Sequence, residues 1–454
     1  MKLWMDVMRD LESVMENHER LFSAWAEGGV DGLVMGPPVF NAADLMPGVR
    51  SREKGSEPVP TYEPNPEVYR RFGVTPPDTV PVPKGRRALL EKTFAAAKNL
   101  GWSVWIFQPQ AGMGPGGDRH HLADEKTRAA ICARMVDTFE QFPGVDGGIM
   151  DGPEWGYEID PNHMGHRSYI FNDLPDSVSP LCKSLGYDYS DLVAAKDHLY
   201  ECLHSLTPSR VNLHAAGGFL GATQLLGSDP DLTAWFRFRV ESLTGYFQGV
   251  RDGVDSAMSR PIKLGVGPRS AAFAPLCGYD FEKLAGILDV LLPKHYFWHR
   301  GFDGMVGTIY RYVETLLAWN NGLSEGDALR VVEAFFGLRL PGVKCRADLE
   351  CALTPEFFEQ VAQDETHRAL AVVDDHDRIV PWLEAGRSPH DGDPMSAGHM
   401  RLLLENAEAA GLKRFLYHHQ GNLTAGEWVV MSEICGKRWD PLKSDYKPLD
   451  RHVL

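Results

Sequence analysis

Gly147-Gly148-Ile149-Met150-Asp151-Gly152-Pro153-Glu154-Trp155-Gly156-Tyr157-Glu158 is the stretch on which the reading of this chain turns. A short apolar run, Ile149-Met150, leads straight into three carboxylates and two aromatic rings, with Gly and Pro between them. That order predicts a buried strand ending in a sharp turn that lifts Asp151 and Glu154 out of the sheet. Carboxylates just past a strand, flanked by flat aromatic faces, suit glycosidic chemistry. The same letters also fit an ordinary strand exit whose acids are solvated or cap the next helix.

The flanking sequence predicts strands alternating with helices. Upstream, Arg86 to Asn99 reads as a helix, Gly101 to Pro109 as a strand and Ala123 to Phe142 as a helix. At the start, Leu3, Val7, Leu11, Val14, Met15, Leu21, Phe22 and Trp25 recur at helical spacing, so the chain is expected to open with an amphipathic helix ended by Gly28-Gly29. Val30 to Pro38 follows as the first strand, and Phe40 to about Lys84 as a long loop rich in Pro, Glu and Tyr.

Downstream, helices are expected over Ser190–Leu206 and Leu232–Ala257, with Arg210 to His214 between them as a short strand. Pro261–Arg269, Leu288–Trp298, Arg378–Glu384 and Lys413–Gln420 read as strands. Helices separate them at Phe281–Ile287, Thr308–Trp319, Glu325–Phe336, Pro355–Val373 and Ser396–Ala410, and Ala425–Cys435 closes the chain. Strands alternating with helices, without hairpin signals, predict a parallel sheet and an α/β (β/α)8 TIM barrel. A single catalytic domain over residues 1–454 is expected, with long inserted loops at about 38–85, 109–122 and 156–190. An open doubly wound sheet is the second choice, but no GxGxxG follows the first strand.

Composition narrows the function. With 454 residues, 43% of them hydrophobic and 10% aromatic, the chain can bury a large core and keep rings over for a cleft. A formal net charge of −16 without a basic run argues against nucleic acid and anionic membranes as partners. Seven cysteines stand singly with no CxxC, which speaks against a zinc knuckle or disulfide framework and for a reducing, cytoplasmic setting. Early acids rule out a signal h-region, and no apolar run is long enough to span a membrane. A homo-oligomer is left open.

In such a barrel the chemistry collects at the C-terminal strand ends. Those ends supply Pro37-Pro38, Gln108, Asp151 with Glu154, Arg269, Lys294-His295-Tyr296, Glu384, and His418-His419-Gln420 with Asn422. Glu154 and Glu384, on different strands, form a candidate catalytic pair in which one protonates the leaving oxygen and the other attacks or activates water, with Asp151 in reserve. Glu384 fits equally an acid pairing with Arg387 at the strand exit. Tyr296 is a candidate to orient the nucleophile. Gln108, Arg269, Lys294, His295, His418, His419 and Gln420 are candidates to bind substrate hydroxyls or acids. Trp155, Tyr157, Trp298 and Trp382 offer flat faces for a carbohydrate substrate, or core packing.

A metal site is the competing chemistry: His214, His295 and His418 would be its ligands, although no HExxH spacing occurs. No P-loop, GxSxG or SxxK motif is present. A metal-dependent barrel hydrolase or lyase, and a carbohydrate-binding barrel without catalysis, therefore stand beside the glycosidase reading, which requires neither cofactor nor metal.

These strand ends resemble the glycoside hydrolase superfamily of clan A type and its hydrolase-like barrel relatives. In that clan an acid/base Glu ends the fourth strand and a nucleophilic Glu the seventh. Counted back from the C-terminus, Phe415 to His419 is the eighth strand, Ile379 to Glu384 the seventh, and Tyr296 ends the sixth, where the clan often carries a tyrosine or histidine. The run from Asp146-Gly147 to Asp151, then Trp235-Phe236-Arg237, then Lys294-His295-Tyr296, is similar to a barrel family in which a strand running from D-G to Asp precedes a helix bearing W-x-R. The resemblance covers the chain from about residue 100. It implies a retaining glycosidase with Glu154 as acid/base and Glu384 as nucleophile. The long loop from Phe40 to Lys84 and the inserts after Glu158 would narrow an open cleft, which favours exo action. Pro153 stands where the clan has Asn before its acid. If Val211 to His214 is a barrel strand, Glu154 ends the third strand. If that segment is an insertion, Glu154 ends the fourth, and a first strand must lie before the N-terminal helix or within residues 38–84.

Overall fold

The computed structural model describes residues 1–7, 11–36, 60–78, 81–108, 122–161, 169–172, 174–301, 303–387, 390 and 392–448. The expected inserted loops lie partly outside these residues.

Eight parallel staves close into a ring. In order around it they are Lys2–Val7, Val30–Met35, Ser103–Gln108, Gly147–Met150, Lys263–Val266, a split sixth stave, Trp382–Leu383 and Arg414–Tyr417. The first stave pairs with both the second and the eighth. The sixth consists of Val290–Leu291, paired with the fifth, and Lys294–His295, paired with the seventh. Pro293 interrupts it because proline has no N–H to donate. The Pro293 carbonyl still accepts from Trp382 N–H at 2.9 Å, so the ring closes across the break. Helices such as Leu11–Glu27, Arg86–Asn99, Glu125–Gln141 and Pro230–Ala257 run between staves.

Two expectations are corrected, and together they settle the strand count. The chain opens with the strand Lys2–Val7, and the helix begins only at Leu11. A stave buried on both faces carries a near-continuous apolar run, so Leu3-Trp4-Met5 with Val7 joined the helical spacing that follows it by coincidence. Conversely, Val211 to His214 belongs to the helix Pro208–His214. Thr207 caps it by accepting from Arg210 N–H at 3.2 Å, and Pro208 sits at its first position, where no donor is needed. Gly147–Met150 is therefore the fourth stave and Trp382–Leu383 the seventh.

Alternation along each stave decides which side chains enter the ring. Trp4 and Trp105 meet inside it with centroids 5.3 Å apart and plug its lower end. Gly32 and Gly147 make room, since a Cβ on Gly147 would press into the Lys263 carbonyl and lie 2.7 Å from the Trp105 ring. Further up the staves, the same parity sends Asp6, Asp151, Lys294, Glu384 and His418 inward at the upper mouth. His295 takes the opposite face, where its Nε2 hydrogen-bonds Thr366 Oγ1 at 3.1 Å in the outer helix layer. Gln108 also faces the helices: its Cγ borders the side of Gly148 that Phe139 and Met135 cover.

Two outcomes follow from this packing. Gly147→Ala should lower folding stability by about 1–3 kcal/mol in denaturant titrations, through overpacking between staves. Burial holds the His295 imidazole down at about 3 against an ordinary value of 6.5. As pH falls below 6.5 the unfolded chain gains a proton that folded His295 refuses, so stability is lost toward pH 3. His295→Gln should flatten that acid slope by up to about 1.4 kcal/mol per pH unit, read from unfolding midpoints at several pH values.

Candidate active site

Each group at the mouth owes its place to a stave end. Asp6 comes from the first stave, Asp151 and Glu154 follow the fourth, and Arg269 follows the fifth. Lys294 and Tyr296 come from the sixth, Glu384 from the seventh and His418 from the eighth. The fourth stave turns sharply at Gly152, whose φ of 83° only glycine adopts without strain, and the Gly152–Pro153 bond is cis. That turn separates Asp151, with a side chain 21% exposed, from Glu154, at 7%. At the exit of the eighth stave the His418–His419 bond is also cis.

Lys294 Nζ lies 2.8 Å from Asp151 Oδ1 and 5.9 Å from the Trp382 ring centroid. Asp6 Oδ2 bonds His418 Nδ1. The remaining acids belong to one buried chain of charges. Arg269 forks Glu154: Nε donates to both oxygens at 3.1 Å and Nη2 to Oε1 at 2.6 Å. Arg269 Nη1 pairs with Asp303 Oδ1 at 2.5 Å, and Tyr157 O–H donates to the same oxygen at 2.9 Å. Asp303 Oδ2 stands 3.6 Å from His390 Nε2, and His390 Nδ1 pairs with Glu384 Oε2 at 2.5 Å. Glu384 Oε1 accepts the Arg387 backbone N–H at 2.9 Å. The Asp303 and Glu384 side chains are each 1% exposed.

The charges follow from these contacts. Burial disfavours the Arg269 cation, but Asp303 and Glu154 more than offset it, and its pKa lies well above the ordinary arginine value. Burial likewise pulls His390 down, yet Glu384 and Asp303 hold it above the ordinary histidine value. Tyr296 is driven far up, first by burial and then by Glu384, Asp151, Asp303 and Asp6, so it stays a neutral phenol among four acids. It can donate a hydrogen bond there and cannot add to the negative charge.

The aromatic residues expected to offer sugar platforms are packed away. Trp155 donates from Nε1 to Ser242 Oγ at 3.0 Å and to the Arg239 carbonyl at 3.1 Å, and its ring packs on Phe238. Tyr157 stacks on Phe273 and lies under the Arg269 guanidinium. Trp298 is enclosed by Gly304, Gly386 and Gly392 beside Tyr296 and His390, and Trp382 lies inside the ring against Phe107 and His418. All four are buried. Large rings gain most from leaving water, and here that gain organises the loops.

Arg269 is committed to its two carboxylates and is buried with them. His295 and Gln108 face the helix layer, away from the mouth. His419 and Gln420 are buried at the eighth stave's exit, Gln420 in the short turn Gln420–Asn422. The three histidines weighed as metal ligands do not converge: His214 ends an outer helix, His295 faces outward and only His418 faces the mouth. Among the described residues no group of three or more His, Cys, Asp or Glu side chains could hold a metal ion. Asp6, Asp303 and His390 were not expected. Asp6 shows as an acid inside an apolar run, whereas Asp303 and His390 sit in irregular loops without a sequence signal.

No family model and no curated protein matches this chain. Several solved structures are similar to it over nearly its whole length. The glycoside hydrolase domain of PgaB (BpsB) from Bordetella bronchiseptica is 11% identical with a TM-score of 0.48, covering 95% of this chain and 98% of that one. A GH18 chitinase from Pseudoalteromonas aurantia is 8% identical with a TM-score of 0.42, covering 96% and 98%. A chitinase from Chromobacterium violaceum is 10% identical with a TM-score of 0.40, covering 97% and 99%. These neighbours are glycoside hydrolases in name, and the likeness is one of overall shape.

Proposed function

We propose that this chain is a glycoside hydrolase working at the barrel mouth, with Asp151 and Glu384 as its reacting carboxylates. The observation that carries the reading is the pair of inward-facing acids at the ends of the fourth and seventh staves, gathered around the neutral phenol of Tyr296. Oxocarbenium chemistry needs one carboxylate that stays ionised and one that exchanges a proton.

Glu384 fits the first role. His390 and the Arg387 N–H hold its oxygens, and Tyr296 lies close enough to orient it. Attack by Glu384 on the anomeric carbon gives a glycosyl ester and, after hydrolysis, retained configuration. Asp151 fits the second role because it is the most exposed acid of the group and contacts Lys294. The Asp151–Lys294 pair can share one proton, deliver it to the leaving oxygen and take it back from the attacking water. The long inserts read in the sequence at about 38–85, 109–122 and 156–190 support exo action on short carbohydrates. Seven free thiols are in keeping with a cytoplasmic role in carbohydrate metabolism.

Glu154 remains a second candidate for the acid because it too follows the fourth stave. The Arg269 fork weighs against it, since three guanidinium hydrogen bonds favour the anion and would be weakened by a proton. On this reading Glu154 anchors Arg269.

A panel of aryl glycosides and short oligosaccharides separates these roles. Wild-type protein should release sugar with retained anomeric configuration by NMR. Glu384→Gln and Asp151→Asn should each lower kcat/KM by about 10²–10⁴-fold. The Asp151→Asn loss should shrink on dinitrophenyl glycosides, whose leaving group needs no proton. Glu154→Gln should chiefly lower the unfolding temperature. A wild type inactive on the whole panel, or full turnover by both Asp151→Asn and Glu384→Gln, contradicts the proposal.

A further inference from the structure

Asp303 is a buried acid on a left-handed backbone, with φ at 70°. A residue bearing a Cβ is disfavoured there, and such positions persist where the surroundings hold them for a purpose.

That carboxylate bridges two cations, and each cation grips a mouth acid. Oδ1 contacts Arg269, which forks Glu154, while Oδ2 faces His390, which pairs with Glu384. Other charged or titratable groups also bear on this point. Tyr157 donates to Oδ1 from the loop after the fourth stave. Tyr296 reaches it from the sixth stave, and Arg311 from the helix Met305–Trp319, where Glu158 pairs with Arg311 at 2.5 Å. Arg387, beside Glu384, is paired with Glu427 at 2.8 Å.

With His390 protonated, the acids Glu154, Asp303 and Glu384 face two cations. With His390 neutral one of those two is lost, and Arg311 and Arg387 are already paired with Glu158 and Glu427. Without the Asp303 charge, the Arg269 guanidinium would oppose a second cation at His390 and only Glu384 would favour one.

We propose that Asp303 is a positioning residue that holds His390 as the imidazolium and thereby keeps a cation paired with the Glu384 carboxylate. The consequence for catalysis rests on the glycosidase reading; the protonation of His390 does not. Because His390 is raised in the folded protein, its cation is present at low pH and lost as pH rises through its folded value. Weakening Asp303 moves that loss to lower pH.

The test is an NMR titration of the full-length protein labelled with ¹⁵N-histidine, with the His390 signals assigned by their absence in His390→Gln. In wild type His390 should remain imidazolium above the ordinary histidine midpoint. Asp303→Asn should lower its midpoint by about one unit or more, and Asp303→Glu should restore most of the shift. The alkaline limb of kcat should move acidward by the same amount in Asp303→Asn, with KM little changed. A wild-type His390 that titrates at or below the ordinary midpoint overturns the proposal, and this measurement stands even if Asp303→Asn fails to fold. So does an unchanged His390 midpoint in a folded Asp303→Asn. If His390 titrates as stated in a protein inactive on every glycoside, the glycosidase reading fails and the role of Asp303 in protonating His390 holds.

Discussion

Arg269 is a cation that burial leaves with two carboxylates for company. Taking such a charge out of water costs several kcal/mol, and only close pairing offsets the cost. Glu154 and Asp303 supply that pairing from the loops after the fourth and sixth staves, while Arg269 itself follows the fifth. Three loops are thereby tied to one guanidinium. Tyr157 covers its face, and Trp155, bonded to Ser242, ties the same fourth-stave loop to the helix Pro230–Ala257. The upper rim of the barrel is held by charge in low dielectric, and its lower end by tryptophan packing.

This constraint divides the acids. Those within the chain from Glu154 to Glu384 are paired with Arg269 and His390, whereas Asp151 is partly exposed and contacts the Lys294 ammonium. The proposed glycosidase would use both kinds, one carboxylate held among cations and one that changes protonation during the cycle. Tyr296 serves the arrangement by remaining neutral where another anion would be least tolerable. Asp6 and His418 complete the ring from the staves at which the barrel closes.

The fold was largely legible because buried parallel staves and amphipathic helices leave different periods. Arg86–Asn99 and Phe281–Ile287 fall on their expected bounds. The first stave was hidden because Leu3 and Val7 stand four residues apart and joined the helix behind them. Pro208 was a signal of a helix start that the short apolar run Val211 to Leu213 obscured. Of the site, Asp151, Lys294, Tyr296 and Glu384 were legible as polar residues ending apolar runs. His295 and Gln108 were misplaced because sequence order does not reveal the parity of a stave until its register is known. The tryptophans looked like platforms for a related reason, since ring size predicts burial and sugar contact equally. Asp303 and His390 reach the mouth through loops, where no period announces them.

The central claim is that Glu384 is the group that attacks carbon while Glu154 is held as a counter-ion. Trapping the intermediate tests it most directly. The protein is incubated with activated 2-deoxy-2-fluoro glycosides, which slow release of the glycosyl ester, and the labelled peptide is identified by mass spectrometry. The account predicts one sugar per chain, esterified to Glu384; a label on Glu154 or Asp151 would contradict it.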